Sequence, residues 1–394
     1  MYNNILVPVD NSQQSNYAVD ASTSLAGKFN SKLTGIHVYA ARLHDNRFKQ
    51  MEGGLPEEYQ NETVLKKQRA VHGSLITKGL QIISDSYLTA FEEKCLHGGI
   101  ACHSKILEGK NFVEIVNEIK ASRHDLVVMG ATGIGVVETT TTGSTCERVL
   151  RRARSDVLVM KNQPFPGNKI IVAIDGSSQS FAGLKVALQL AKNFDSKIEA
   201  VSAFDPDFHR FAFSNISTVL SEKAKNIFKF EEQEKLHDEI IDKGLAKIYR
   251  GHLNTAKKIA EEMKVQLETT LLSGKAFDEI LKQVSKSEGS LLVVGRFGAH
   301  KVDSLDIGST AENLVRLSPC SVLIVNGQFL VPEENLFQNE IQMSWSIEAE
   351  LMLERIPSMA RVMAKNAIEK FAEEKGYREI TPEVMSQAKK KFGM

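Results

Sequence analysis

Short apolar runs alternate with helical stretches through most of this chain. Apolar runs near 4–9, 33–39, 100–106, 125–129 and 156–160 predict five strands. Amphipathic or long helical stretches near 13–28, 62–97, 111–121 and 144–153 predict the helices between them. The same succession returns, with strands expected near 169–174, 197–203, 265–271, 290–294 and 321–325. Strands that alternate with helices argue for parallel sheets covered by helices, an α/β fold. Asn162–Asn168, with two prolines and a glycine, reads as the linker between the halves. Past residue 328 the pattern changes. Residues 328–343 read as a polar connector, and 344–394 as a small all-α module. There Ile356, Met359, Met363, Ala367 and Phe371 form one stripe, Gly376 is a stop and Thr381-Pro382-Glu383 a start. The expected organisation is therefore 1–161, a linker at 162–168, 169–327, a connector at 328–343 and a module at 344–394.

The two halves are one unit written twice. Gly130 and Gly133 precede Gly143-Ser144 by nine intervening residues, and Gly295 and Gly298 precede Gly308-Ser309 in the same way, every pair offset by 165. At that offset Asp10 falls on Asp175, each ending an apolar strand, and His44 and His72 fall on His209 and His237. A period of this size is a duplicated domain, not a solenoid repeat.

The spacing has a chemical meaning. Each glycine-rich turn follows a strand, where backbone can approach a ligand with no Cβ in the way. Gly143-Ser144 and Gly308-Ser309 then open a helix, whose free N–H groups and positive dipole end suit phosphate. Asp10 and Asp175 stand at the carboxyl end of a strand, the edge at which open α/β sheets bind ligands, and could accept from ribose hydroxyls. The plainer alternative is that Ser144 and Ser309 simply cap helices, since Ser144…Glu147 and Ser309…Glu312 fit a capping box.

Composition narrows the class. In 394 residues, 49 basic side chains balance 49 acidic ones, so no broad field draws the chain to nucleic acid or a membrane surface. No apolar run approaches the ~18 residues of a membrane span. Four cysteines do not make a disulfide framework, and the first residues lack a basic leader, so a cytoplasmic protein with reduced thiols is expected.

Gly-x2-Gly-x9-Gly-Ser after Ile-Leu-Val-Pro-Val-Asp, with Gly-Ser-Thr-x-Glu-x-x-x-Arg and a final strand, resembles the ATP-binding class of universal stress proteins over about residues 1–327. That resemblance implies two tandem five-stranded, Rossmann-like sheets of the adenine nucleotide alpha hydrolase type. It implies binding of ATP or a related adenine nucleotide, and pairing of the repeats inside one chain or as a homodimer. It places Asp10, Val38, Gly130, Gly133, Gly143 and Ser144 in the first site, and Asp175, Gly295, Gly298, Gly308 and Ser309 in the second. Val38 would contact the adenine; Ala203 stands at its place in the second unit. The first loop, Ile134–Thr142, carries no base, and the second, Ala299–Ile307, sets two aspartates against one lysine. Arg296 is a candidate helper, and a magnesium complex or a less charged ligand such as AMP fits a base-poor loop. With no Gly-x4-Gly-Lys-Ser/Thr loop, binding and sensing are favoured over turnover.

Three further features are open. His44, His72, His209 and His237 could share a metal such as zinc, within each unit or across a pseudo-twofold axis. Cys146, in the first turn of the helix after Gly143, could be a dipole-stabilised thiolate. The final module, through Ile356-Pro357-Ser358-Met359-Ala360-Arg361 and Ile380-Thr381-Pro382-Glu383, resembles the small C-terminal helical domain found in light-independent protochlorophyllide reductase. That likeness implies docking to a protein partner without reductase activity. The competing function is an assembly adaptor with degenerate cradles, linked by metal through the recurring histidines.

Overall fold

The structure is a computed structural model. It describes residues 1–135, 137, 140–206, 215–216, 219–220, 242–287, 291–299, 306–331, 344–354, 356, 358–375, 377 and 379–392. Contacts divide the chain into two units, Met1–Val331 and Pro332–Met394.

In the first unit the strands are β1 (Asn4–Pro8), β2 (Lys32–Tyr39), β3 (Cys102–Glu108), β4 (Leu126–Gly130) and β5 (Asp156–Met160). The helices of that repeat are α1 (Gln13–Phe29), α2 (Ala41–Met51), α3 (Glu62–His97), α4 (Asn111–Ser122) and α5 (Ser144–Arg152). The second repeat contributes β6 (Lys169–Ala173), β7 (Lys197–Phe204), β8 (Glu268–Ser273), β9 (Leu291–Gly295) and β10 (Val322–Val325). Its described helices are α6 (Ser178–Phe194), α7 (Asp242–Glu262), α8 (Ala276–Ser285) and α9 (Ser309–Leu317).

Two differences from the sequence reading have physical causes. The third strand of each repeat starts two or three residues later than expected, at Cys102 and Glu268. Both are edge strands, half-buried on both faces, so no clean alternation marks their start. Helix α2 was not expected: only Ala41 of its eleven residues is buried, so it carries no apolar stripe.

The two repeats do not form two separate sheets. All ten strands make one, in the order β3-β2-β1-β4-β5-β10-β9-β6-β7-β8. Neighbours are parallel within each half, and β5 and β10 meet antiparallel, with Leu158 opposite Leu323. The last strand of a parallel sheet exposes an unpaired edge; here each repeat covers the other's. One core cluster crosses the seam without a break, from Val149, Val157 and Val159 to Leu314, Val322 and Ile324, under α4, α5, α8 and α9.

The seam is locked by pairs that obey the 165-residue offset. Arg151 pairs with Glu312, and Arg316 with Glu147 at 3.3 Å, so each helix's last turn holds the other's first. Other contacts break the symmetry. Lys161 Nζ donates to Ser318 O at 2.7 Å and Arg316 O at 3.3 Å, at the carboxyl end of α9. Burial pushes that ammonium down to about 8 from 10.5. The folded state thus gives up this proton before the unfolded chain does, and Lys161 adds stability as pH rises from about 8 towards 10.5. Relative to Lys161→Met, the wild type should gain stability between pH 7 and pH 9.5, read by urea unfolding. A pH-independent difference would contradict this.

The second unit has a core of its own, built on Ala364, Ile368, Phe371, Ala372, Ile380 and Val384. It is not all helix. Helices α10 (Ile347–Glu354), α11 (Ser358–Lys375) and α12 (Pro382–Phe392) are joined by two short strands, β11 (Ser344–Trp345) and β12 (Glu379–Ile380), which pair in parallel. The buried face of α11 runs through Ala364, Ile368 and Ala372, turned from the expected stripe. Ala367 is half-buried, Phe371 lies on both, and the side chains of Met359 and Met363 lie outside the described residues. The reason is β12, whose Ile380 enters the core and draws that face of the helix towards it.

Candidate functional site

At the carboxyl edge of each half-sheet lies a cavity, about 540 Å³ in the first repeat and about 320 Å³ in the second. The first is lined by Asp10, Val38, Gly130, Gly133, Gly143 and Ser144 among others. The second is lined by Asp175, Ala203, Gly295, Gly298, Gly308 and Ser309 among others. All eleven residues singled out for the two cradles therefore border a cavity, five of them the second.

The turn after β4 is tightly braced. Asp10 Oδ1 accepts from Ser12 N at 3.0 Å, and Oδ2 accepts from Ile134 N at 3.3 Å. A Cβ on Gly133 would land on that Oδ2, so only glycine leaves the carboxylate in place. In the second repeat Asp175 accepts from Ser177 N at 3.1 Å and Ala299 N at 2.9 Å, and a Cβ on Gly298 would again meet its carboxylate. A carboxylate has about four acceptor positions, so both retain capacity for a ligand's hydroxyls.

Sequence reasoning passed over the glutamines. Gln14 Oε1 accepts from Thr132 N at 2.7 Å, and Gln179 Oε1 accepts from Phe297 N at 2.7 Å. Each ties its first helix to the turn after β4 or β9. Their own separation of 165 was the signal that could have found them.

The helix ends answer the capping question. Helices α1 and α6 are capped by side chains: Ser12 accepts from Ser15 N, and Ser177 from Ser180 N. Helices α5 and α9 are not. Their cap positions are Gly143 and Gly308, neither with a side-chain cap hydrogen bond, and Ser144 and Ser309 are the first helical residues. Glu147 and Glu312 close no capping box; they make the seam's ion pairs. Two positive helix ends thus open on the cavities with backbone donors unspent.

The structure bears on Arg296, Cys146 and the histidines in different ways. Arg296 lines the second cavity, but its Nε and Nη2 are committed to backbone carbonyls, leaving only a buried Nη1 without a partner. It is only 4% exposed, and it donates from Nη2 to Leu150 O and Arg151 O, both at 2.7 Å, and from Nε to Asp306 O at 2.8 Å. Cys146 is no thiolate: it is 2% exposed, and burial pushes its thiol up to about 12, outweighing the helix dipole. His72 stacks on Phe48, ring centres 4.4 Å apart, and no three His, Cys, Asp or Glu side chains converge for a metal among the described residues. His44 is exposed on α2; His209 and His237 lie outside the described residues. No described helix is long and apolar enough to cross a membrane.

Among the described residues lining the first cavity there is no lysine or arginine, and two are carboxylates, Asp10 and Glu147. Of the second loop, His300–Leu305 lie outside the described residues. What the first site offers an anion is backbone, helix dipole and neutral donors such as Asn111, Thr140 and Ser144.

Known proteins share this architecture. A universal stress protein of Bacillus subtilis is 31% identical over 160 residues, 40% of this chain and 98% of that protein. One of Methanocaldococcus jannaschii is 28% identical over 157 residues, 40% of this chain and 81% of its own length. A crystal structure of a universal stress protein from Archaeoglobus fulgidus covers 83% of this chain and 100% of its own, with a TM-score of 0.52 at 15% identity, a likeness of fold. Residues 345–389 match the family model described as the proto-chlorophyllide reductase 57 kD subunit. The model of the universal stress protein family matches residues 1–161 and again 167–326, most of the chain, and the chain belongs to that family.

Proposed function

We propose that this chain binds adenine nucleotides in its two cradles and acts as a stress or signalling protein whose output follows occupancy. The observation that carries the reading is the pair of uncapped helix ends, each opening on a cavity beside a strand-end carboxylate. Phosphate would take the N–H groups of the first helical turns, from Ser144 and Ser309 onward, since those of Gly143 and Gly308 already donate to Ala131 O and Arg296 O. Ribose would take Asp10 or Asp175, and the base would lie against Val38 or Ala203. A magnesium ion carried in with the ligand would supply the positive charge that the first cavity's walls lack; AMP would need less of it. Binding is favoured over turnover, because the sequence carries no Gly-x4-Gly-Lys-Ser/Thr loop. All four cysteines are free thiols, which fits a cytoplasmic setting. The terminal unit serves as the docking module in this reading.

Titration calorimetry with ATP, ADP and AMP, each with and without magnesium, tests it. Binding of one or two equivalents per chain is expected, and mass spectrometry of ligand released from fresh protein should show an adenine nucleotide. No binding at millimolar concentration would overturn the reading and leave the adaptor function as its successor.

A further inference from the structure

Arg296 begins in one cradle and ends on the helix that frames the other. Its backbone lies between Gly295 and Gly298, on the wall of the second cavity. Its Nε–H donates to Asp306 O, and its own carbonyl accepts from Gly308 N at 2.9 Å, so it also fixes the chain entering α9. Its Nη2 crosses the seam to Leu150 O and Arg151 O, carbonyls of the last turn of α5, while the buried Nη1 has no hydrogen-bond partner. Leu150 and Arg151 stand six and seven residues past Ser144, so this anchor lies about 10 Å from the uncapped end that opens on the first cavity.

The link has no counterpart in the other repeat. At the offset of 165 the residue matching Arg296 is Ala131, which has no group to send back to α9. The carboxyl end of α9 is instead held by Lys161, from the end of β5 and outside both cavity linings. A buried cation on a helix carboxyl end is favourable, but that role alone needs no residue from the ligand-facing turn of the opposite repeat.

We propose that Arg296 couples the two cradles, so that a ligand in the second site tightens binding in the first. The proposal rests on the reading of both cradles as nucleotide sites. A ligand in the second cavity orders the turn at Gly295–Gly298 and the residues from Asp306 to Gly308. Ordering them fixes the guanidinium, and through it the carboxyl end of α5. The first site's ligand then meets a helix already held, and the ordering cost is met once. By reciprocity a ligand in the first site tightens the second by the same factor.

Two substitutions isolate the sites. Val38→Trp fills the first cavity from β2, and Ala203→Trp fills the second from β7. Calorimetry on each gives the association constant of the remaining site. Their product is compared with the product of the two constants measured in the wild type. The wild-type product should exceed the isolated-site product by about fivefold or more, in the usual range for coupled sites. In an Arg296→Met background the two products should agree. Arg296→Lys, which keeps the charge and loses the fork, should restore folding if the methionine variant is unstable, and should still lose most of the coupling. A wild-type ratio of one, or a ratio unchanged by either substitution, overturns the coupling. The nucleotide reading would survive that result if Val38→Trp and Ala203→Trp each bind one equivalent, and would fall with the coupling if neither protein nor the wild type binds any.

Discussion

Gly133→Ala should weaken nucleotide binding in the first cavity by ten- to a hundredfold while lowering the melting temperature by only a few degrees, the cost of the bonds Asp10 makes to Ser12 N and Ile134 N. The added Cβ lands on the Asp10 carboxylate, the far end of a side chain that can swing aside, so the fold loses little. The site loses the carboxylate's position and, with it, charge-assisted hydrogen bonds worth about 1.5–3 kcal/mol. Gly133 has no positive φ, so alanine adds bulk without backbone strain. Calorimetry should show one strong site remaining, and Gly298→Ala should remove the other. Two unchanged sites in Gly133→Ala would mean that Asp10 does not hold the ligand.

Leu158→Asp should cost about 4 kcal/mol or more and unfold the first unit under conditions where the wild type is stable. Leu158 is 1% exposed and pairs with Leu323 across the antiparallel seam. A carboxylate there has no partner, and unpaired buried charge is among the few mechanisms with effects of this size. Leu317→Asp, at a position 53% exposed on α9, is the control and should shift stability by no more than about 0.5 kcal/mol. Because one core crosses the seam, urea unfolding followed by circular dichroism should show both repeats failing together. A second repeat that stays folded in Leu158→Asp would show that the halves are independent, contrary to the shared core.

Much of the fold was legible because its signals are local. An apolar run such as Leu126–Met129 is buried on both faces and reads as a strand without its partners. Helix α1 announces itself by its stripe, its Ser12 cap and its end at Asn30, in the left-handed region. The polar α2 and the half-exposed β3 and β8 were missed or misplaced, because burial of one face is what periodicity reports. The cradle residues were legible because a glycine spacing repeated at a fixed offset is a covalent fact. Gln14 and Gln179 carried the same offset but no motif.

The sequence by itself determined that this is a duplicated α/β unit, which strands end in glycine, and that two carboxylates and two helix starts recur together. Those are properties of chain order and of each residue's own steric and hydrogen-bonding capacity. Tertiary structure alone decided that α5 and α9 are left uncapped, since it began the helices at Ser144 and Ser309 and so put glycine, which has no side chain, at each cap position. It decided that Cys146 stays a thiol, because desolvation depends on what surrounds the sulfur. And it decided that Arg296 serves the neighbouring helix as well as its own cradle: a side chain's target is set by what packing brings within its reach, and packing across β5 and β10 brought the end of α5.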